Sequence, residues 1–377
     1  MIPVFDPSVS EEDVQAVVEA LRRGEISGSF GRSIPEFEES FAAFVGSRHG
    51  VAVSSGTTAL HLAVAAAGIG PGDEVLVSAS TNIATALAAV HNGALPVPVD
   101  SEAETWNLDL DRVEPLIGSR TRAIVPVHLF GHPVDMDRLT EIARRNRLVV
   151  IEDCAESHGA TCRGRVTGSF GDMGCFSFYA NKIVTTGEGG MVVTNDDALA
   201  ERLRLLRNLG FTQPRFRHEV AGYNFRMTGY QAAMGVSQVR RIGEILEAKR
   251  AVASRYSARL RGIPGLRLPV EKEWARNVYW MYGVVVEPEF GLGRDELAAF
   301  LRAEGIETRT FFCPMNQQPC LRRLPGFRAE PCPVADRLWE TGLYLPSSPG
   351  LSESSIDRVA DAIGEARKRR GVPSAAR

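Results

Sequence analysis

Two side chains in the middle of this chain have the types and placement to do chemistry together. The apolar run Leu148 to Ile151 ends in the acidic pair Glu152-Asp153. A second apolar segment, Cys175-Phe176-Ser177-Phe178-Tyr179, leads through Ala180 into Asn181-Lys182. A third, Gly190-Met191-Val192-Val193, follows the glycine-rich turn Thr186-Gly187-Glu188-Gly189-Gly190. Short β-branched runs of this kind read as buried parallel strands that deliver side chains at their C-terminal ends. An amine that condenses with a carbonyl and a carboxylate that keeps a pyridinium nitrogen protonated are what pyridoxal phosphate chemistry requires. Taken singly, a lysine beyond a strand is more often a solvated turn residue, and a strand-end aspartate more often a helix cap. The combination is more specific, because Lys182 lies between an apolar strand and a glycine-rich turn, where loss of water lowers the pKa of an amine.

The elements that must position this pair alternate along the chain. Residues 8–23 carry early acids and apolar spacing at Val14, Val17, Val18 and Leu21, which predicts a helix. A second helix over 34–45 has Phe37, Phe41 and Phe44 as its core or interface stripe. Gly50 to Val53 reads as the first strand, and Ser54-Ser55-Gly56-Thr57-Thr58 opens a helix reaching Ala67. A glycine at such a turn lets backbone amides approach an anion at the helix N-terminus. Strands over 74–77, 94–99, 123–127 and 148–151, separated by helical stretches, argue for an α/β sheet with right-handed crossovers. Helices are expected over 229–238 and 243–261. From Leu266 onward the pattern turns to a smaller α+β unit, with strands over 278–286 and 306–312 and helices over 294–304 and 354–367. The expected division is 1–245 for the N-terminal helices and large α/β domain and 246–377 for the small domain, with 371–377 a frayed tail.

Composition narrows the function classes. The chain has 377 residues, 44% hydrophobic and 24% charged, enough for two sizeable cores. A net charge of −3 gives no electrostatic case for nucleic acid, and the one basic run, Arg367 to Arg370, reads as a solvated helix end. None of the six cysteines forms a CxxC pair or stands at zinc-finger spacing from a histidine, so buried reduced thiols are the default reading. His128 and His132 flank Gly131 in a loop and not on a helix, and no metal is expected there. The opening Met1 to Asp6 lacks a secretory leader's basic flank and apolar core, and the apolar run 59–69 is too short to span a bilayer. A cytoplasmic protein without membrane partners is expected.

The segments Glu152-Asp153-Cys154-Ala155-Glu156, Gly168-Ser169-Phe170-Gly171-Asp172, Phe176-Ser177-Phe178, Asn181-Lys182 and Thr186 to Gly190 resemble those of the DegT/DnrJ/StrS family of vitamin B6-dependent sugar aminotransferases. The resemblance runs in order from about residue 1 to residue 365. It implies the aspartate aminotransferase fold (fold type I), with a large domain whose mostly parallel sheet is flanked by helices and a smaller C-terminal α+β domain. It also implies pyridoxal 5'-phosphate as cofactor, with Lys182 and Asp153 catalytic and Gly56, Thr57, Thr58 and Ser177 on the phosphate. Glu156 aligns with a contact to the pyridine hydroxyl or the substrate. Asn82 stands where the family usually sets an aromatic residue against the ring: either its amide contacts the ring or another side chain covers that face. His158 would lie beneath the cofactor or touch substrate, a structural hydrogen bond being the even alternative. Within Gly222 to Thr228, Asn224 matches a residue that crosses to the partner's cofactor phosphate, which implies a homodimer with composite sites. Arg309 is a candidate for a substrate phosphate or donor carboxylate by bidentate geometry, against a plain surface ion pair.

Two C-terminal segments, Asn277 to Tyr282 and Gly305 to Phe312, are similar to family members that aminate GDP-4-keto-6-deoxymannose, with glutamate the customary donor. Those members follow Glu-Thr-Arg with a proline and later a histidine, whereas Thr310 and Asn316 stand here. Another acceptor, a 3-keto nucleotide sugar or a keto-cyclitol, therefore stays open, as does a non-catalytic cofactor-binding regulator. A dehydratase of the same family replaces the lysine with histidine, and Lys182 argues against it. A nicotinamide dehydrogenase is disfavoured because no GxGxxG motif opens a helix after the first strand.

Overall fold

The computed structural model describes residues 1–214 and 216–368. The expected frayed tail and the last two residues of the basic run lie outside them. Helix α1 (Glu11–Arg22) starts from a reciprocal cap, Ser10 and Asp13 each accepting the other's amide. Helix α2 (Ser33–Val45) turns Phe37 and Phe41 into the core. Then follow β1 (His49–Val53), α3 (Gly56–Ala66), β2 (Glu74–Ser78), α4 (Ala84–His91), β3 (Leu95–Val99), β4 (Thr121–Val125), α5 (Met136–Asn146) and β5 (Val149–Asp153). A short hairpin, β6 (Thr161–Cys162) and β7 (Arg165–Val166), precedes β8 (Met173–Ser177) and β9 (Gly190–Thr194). Helices α6 (Asp197–Arg207), α7 (Gly229–Arg240) and α8 (Ile242–Leu260) lead into the remainder of the chain.

The main sheet has seven strands in the order β1-β9-β8-β5-β4-β2-β3. All neighbours are parallel except β9, which runs against both β1 and β8. Apolar residues alternate between its faces. Val51, Val53, Ile151, Met173 and Cys175 pack under α3, α4 and α6, while Ala52, Phe176, Met191 and Val193 meet the phenylalanines of α2. With both faces covered, the strands read as continuous apolar runs. Val53 and Ser177 both stand opposite Gly190, and Asp153 stands opposite Cys175, so the carboxyl ends of β1, β5 and β8 open on one crevice.

Beyond α8 come β10 (Leu266–Arg267), β11 (Ala275–Arg276), β12 (Tyr282–Val286), α9 (Arg294–Ala303), β13 (Arg309–Thr310), α10 (Pro319–Arg322), α11 (Pro333–Thr341), β14 (Gly342–Leu345) and α12 (Glu353–Lys368). The second sheet, β10-β12-β14-β13, is antiparallel, and α8, α9 and α12 share its core. Two expected strands are shorter than read. The first begins at Tyr282 and not Val278, because Tyr279 takes a left-handed φ of 48° that turns the chain. The second is only Arg309–Thr310, since Phe311 leaves the strand for a buried contact with Trp106 and Phe130. The division expected after residue 245 falls in the first turn of α8. The opening residues pack with the second sheet, the Ile2 amide donating to Gly305 and the Ser347 amide to Val4. Four cysteines are buried as expected, but Cys313 is half-buried and Cys320 exposed, and all six are free. Among the described residues no helix is long and apolar enough to cross a membrane.

One charged side chain ties these parts together. Lys249 of α8 is buried, and its amine donates to the carbonyls of Trp280 (2.7 Å) and Ser347. Burial pushes its pKa down to about 7. Above that value the folded chain has released a proton that the unfolded chain still binds, so stability rises with pH from about 7 toward the ordinary lysine range. Lys249→Met is expected to flatten that rise when urea unfolding is compared at about pH 7 and about pH 9. Equal slopes in variant and parent would count against it.

Candidate active site

Asp153, at the end of β5, is buried and fixed at both oxygens. Thr85 Oγ1 of α4 donates to Oδ2 (2.7 Å) and the Ala155 amide to Oδ1 (3.1 Å). Burial raises its pKa; the Thr85 and Ala155 hydrogen bonds and the Lys182 charge act against that rise. Three residues on, Glu156 is also buried and accepts the Phe130 amide at 2.7 Å. Its pKa too is pushed upward by burial, with Lys182 opposing. Lys182 follows β8 in a turn closed by its own amide on the Tyr179 carbonyl (2.9 Å). Its Nζ lies 3.9 Å from the centre of the Trp280 ring, and loss of water lowers its pKa against the pull of Glu156 and Asp153. An amine and two carboxylates thus share one poorly hydrated space.

The turn after β1 forms the second wall. Ser55 caps α3, its hydroxyl accepting the Thr58 amide (3.1 Å) while Thr58 Oγ1 accepts the Ser55 amide (2.9 Å). Gly56 and Thr57, at the first two positions of α3, have no carbonyl four residues back within the helix. A Cβ on Gly56 would stand 2.5 Å from Ser177 Cβ, so only glycine lets the end of β8 approach this helix start.

These groups line a cavity of about 320 Å³, within the range of small-molecule sites. Of the residues singled out in the sequence, Gly56, Thr57, Asn82, Asp153, Glu156, Ser177 and Lys182 line it. Four do not. Thr58 commits amide and hydroxyl to the cap of α3. His158 is buried among Phe41, Phe176 and Phe178, accepting the Val184 amide (3.2 Å), and burial pushes its pKa down to about 3, so it stays neutral beneath the site. Asn224 is exposed, bridged to Asn208. Arg309 is exposed on the edge strand, paired with Glu307 (2.6 Å), the surface ion pair left open above. Asn82 accepts the Ala84 amide (3.0 Å) while lining the wall.

Sequence reasoning missed Thr85, Trp280, Phe312 and Tyr344. Thr85 carries no motif, and the other three enter from beyond residue 266, where no local pattern points at Lys182. Glu152, beside Asp153 but facing the other way, accepts the amides of Gly168, Phe170 and Gly171 and meets His128 Nε2 at 3.2 Å. His128, Glu152 and Cys154 gather within 4.8 Å, yet both Glu152 oxygens are engaged twice and His128 Nδ1 takes the Val134 amide. Glu152 and His128 are thus hydrogen-bonded support for the Gly168 to Asp172 loop, with their acceptor atoms already engaged.

The DegT/DnrJ/EryC1/StrS aminotransferase family model matches residues 7–364. GDP-perosamine synthase from Caulobacter vibrioides is 44% identical over 367 residues, 97% of this chain and 98% of that protein. The chain belongs to this aminotransferase family. The dTDP-3-amino-3,4,6-trideoxy-alpha-D-glucose transaminase of Streptomyces venezuelae is 40% identical over 372 residues, 97% of this chain and 96% of that one. The crystal structure of S. venezuelae DesV in complex with a ketimine intermediate superposes with a TM-score of 0.88 at 40% identity, covering 95% of each chain. The protein is a pyridoxal phosphate-dependent sugar aminotransferase with the α/β fold of those enzymes. Its cavity fits the cofactor: an amine for the carbonyl, a carboxylate for the ring nitrogen, and the first amides of α3 with Ser177 for a phosphate. Buried Asn181 Oδ1, also in the wall, has no hydrogen-bond partner among the described residues. Removing the Thr85 hydroxyl leaves Asp153 with one donor fewer. Thr85→Val should lower kcat roughly tenfold to a hundredfold without unfolding the protein, as expected for loss of a hydrogen bond to a charged group. Steady-state kinetics beside circular dichroism checks this, and an unchanged kcat refutes it.

Proposed function

We propose that this aminotransferase moves the amino group of L-glutamate onto the keto carbon of GDP-4-keto-6-deoxymannose, as a perosamine-forming enzyme. The observation that carries the catalytic part is the buried Lys182 amine sharing one cavity with the Asp153 carboxylate. The likeness to GDP-perosamine synthase supports the acceptor. The cofactor supplies a carbonyl that takes up amines and a protonated ring that withdraws electrons from the bond being broken. Lys182 would hold the cofactor covalently, and its Nζ, once free, would take the proton from the donor α-carbon. Burial suits Nζ to that role by favouring its neutral form. Asp153 would meet the ring nitrogen and keep it protonated. Gly56, Thr57 and Ser177 would hold the phosphate, Glu156 would meet the ring hydroxyl or the sugar, and Asn82 would contact the ring through its amide.

We read the working unit as a cytoplasmic homodimer in which Asn224 reaches the partner's cofactor phosphate. Its exposure, away from the cavity of its own chain, supports this, as does Tyr179, 48% exposed at the wall of that cavity. A second acceptor, a dTDP-linked 3-keto sugar, is favoured by the 40% identity to the S. venezuelae transaminase.

Adding glutamate to the purified holoenzyme should abolish the visible absorption of the bound cofactor, and GDP-4-keto-6-deoxymannose should restore it. Restoration only by a dTDP-linked 3-keto sugar would transfer the reading to that acceptor. A spectrum that ignores every amino donor would favour a regulatory protein. Lys182→Ala is expected to abolish turnover and Asp153→Asn to lower kcat by about a thousandfold or more while leaving the fold intact. Asn224→Ala should loosen the cofactor, read as a raised Kd, and an unchanged Kd would remove the cross-subunit role.

A further inference from the structure

Two residues beside the cavity hold left-handed backbone that bulky side chains seldom adopt: Phe130 at φ 52° and Tyr279 at φ 48°. The turns that contain them touch. The Val278 amide donates to the Gly131 carbonyl (3.2 Å), and a Cβ on Gly131 would meet Val278 Cγ2, the Tyr279 amide and the Trp280 amide at 2.8, 2.9 and 3.0 Å. Each turn sends one group toward the site. The first sends the Phe130 amide to Glu156 (2.7 Å), and the second sends the indole of Trp280 to the lysine turn.

Trp280 is held from every side. Its Nε1–H donates to the Asn181 carbonyl (2.7 Å), its ring face carries Lys182 Nζ at 3.9 Å, and its carbonyl accepts from Lys249 (2.7 Å). The ring lies nearly parallel to Phe130, at 6.4 Å and 19°. Its strained neighbour Tyr279 donates its amide to Asn277 Oδ1 (2.7 Å), and the Asn277 amide is in turn held by Glu271 (2.7 Å). Strain kept in place by so many partners needs a purpose at the point it delivers, and that point is the amine.

We propose that Trp280 is a positioning residue for the reacting amine: its indole N–H fixes the carbonyl of the residue before Lys182, and its ring face holds Nζ in the cavity. The inference rests on Lys182 being that amine. The attraction between a cation and the ring face favours the ammonium form and so opposes burial. The titratable groups around Nζ are Asp153 at the end of β5, Glu156 and His158 just after it, Tyr179 and Glu188 flanking the lysine turn, and Tyr344 of β14. Both carboxylates also favour the ammonium, so the ring acts as a third, uncharged partner.

The test is acetylation of Lys182 by acetic anhydride in the full chain stripped of cofactor, followed by peptide mass spectrometry across pH. Trp280→Leu should move the half-labelling pH down by about half a pH unit or more, and Trp280→Phe by less, since a ring face survives. In the holoenzyme, Trp280→Phe lacks the N–H on Asn181 and should lower kcat about tenfold with KM for the donor nearly unchanged. Circular dichroism and thermal unfolding confirm that both variants fold. A half-labelling pH that stays put or rises in Trp280→Leu overturns the inference, as does an unaltered kcat in folded Trp280→Phe. Borohydride reduction of the wild-type holoenzyme separates the two readings. Cofactor trapped on another lysine sinks the Lys182 assignment and this inference together. Cofactor trapped on Lys182, with labelling unmoved, sinks the role of Trp280 alone.

Discussion

In the pairing of β5 with β8, Ile151 stands opposite Met173 and Asp153 opposite Cys175, and the site depends on that register because strand side chains change face with every residue. Asp153 shares its face with Ile151, under α4, where Thr85 meets it. Glu152 faces the other way and gathers the amides of the Gly168 to Gly171 loop. Two adjacent acids thus have separate work, one in the cavity and one in the loop that returns the chain to β8. A slip of one residue would turn Asp153 out of the cavity and toward the loop, leaving the Thr85 hydroxyl without its carboxylate.

With the register fixed, the cavity becomes an electrostatic problem solved by neighbours. Burial disfavours charge on Asp153, Glu156 and Lys182 alike. Each is met by a specific answer: the Thr85 hydroxyl and Ala155 amide for Asp153, the Phe130 amide for Glu156, the Trp280 ring for Lys182. His158, held neutral by its own burial among phenylalanines, adds no charge beneath them. These partners come from α4, from the turns after β4 and β5 and from the loop before β12, so no single element makes the site.

The second sheet is therefore part of the cavity and not an appendage to it. Trp280, Phe312 and Tyr344 close the side that the main sheet leaves open. Lys249 fastens α8 to the Trp280 loop and to Ser347 just past β14, so movement of the small sheet against the large one would be felt at the lysine. The left-handed turns at Phe130 and Tyr279 sit where the two parts meet.

Local order was readable in the chain itself. An apolar run ending in Glu152-Asp153, another through Tyr179 into Asn181-Lys182, the glycine turn at Gly56 and a lysine before a glycine-rich turn are statements about neighbours in sequence, and backbone periodicity turns them into strand ends on one crevice. Those same segments carry the resemblance to the family to which the chain belongs. What needed the tertiary structure was every contact made across distance. Thr85 reaches Asp153 over 68 positions and Trp280 reaches Asn181 over 99, and no local pattern encodes either meeting. Packing also set two candidates outside this chain's cavity: His158 lies only five residues after Asp153, yet it points into the aromatic core. Arg309, apt by type, sits on an edge strand facing solvent. Residue type and spacing determined which chemistry this chain carries, while packing between the two sheets decided which side chains attend it, because burial and partner geometry arise only when remote segments meet.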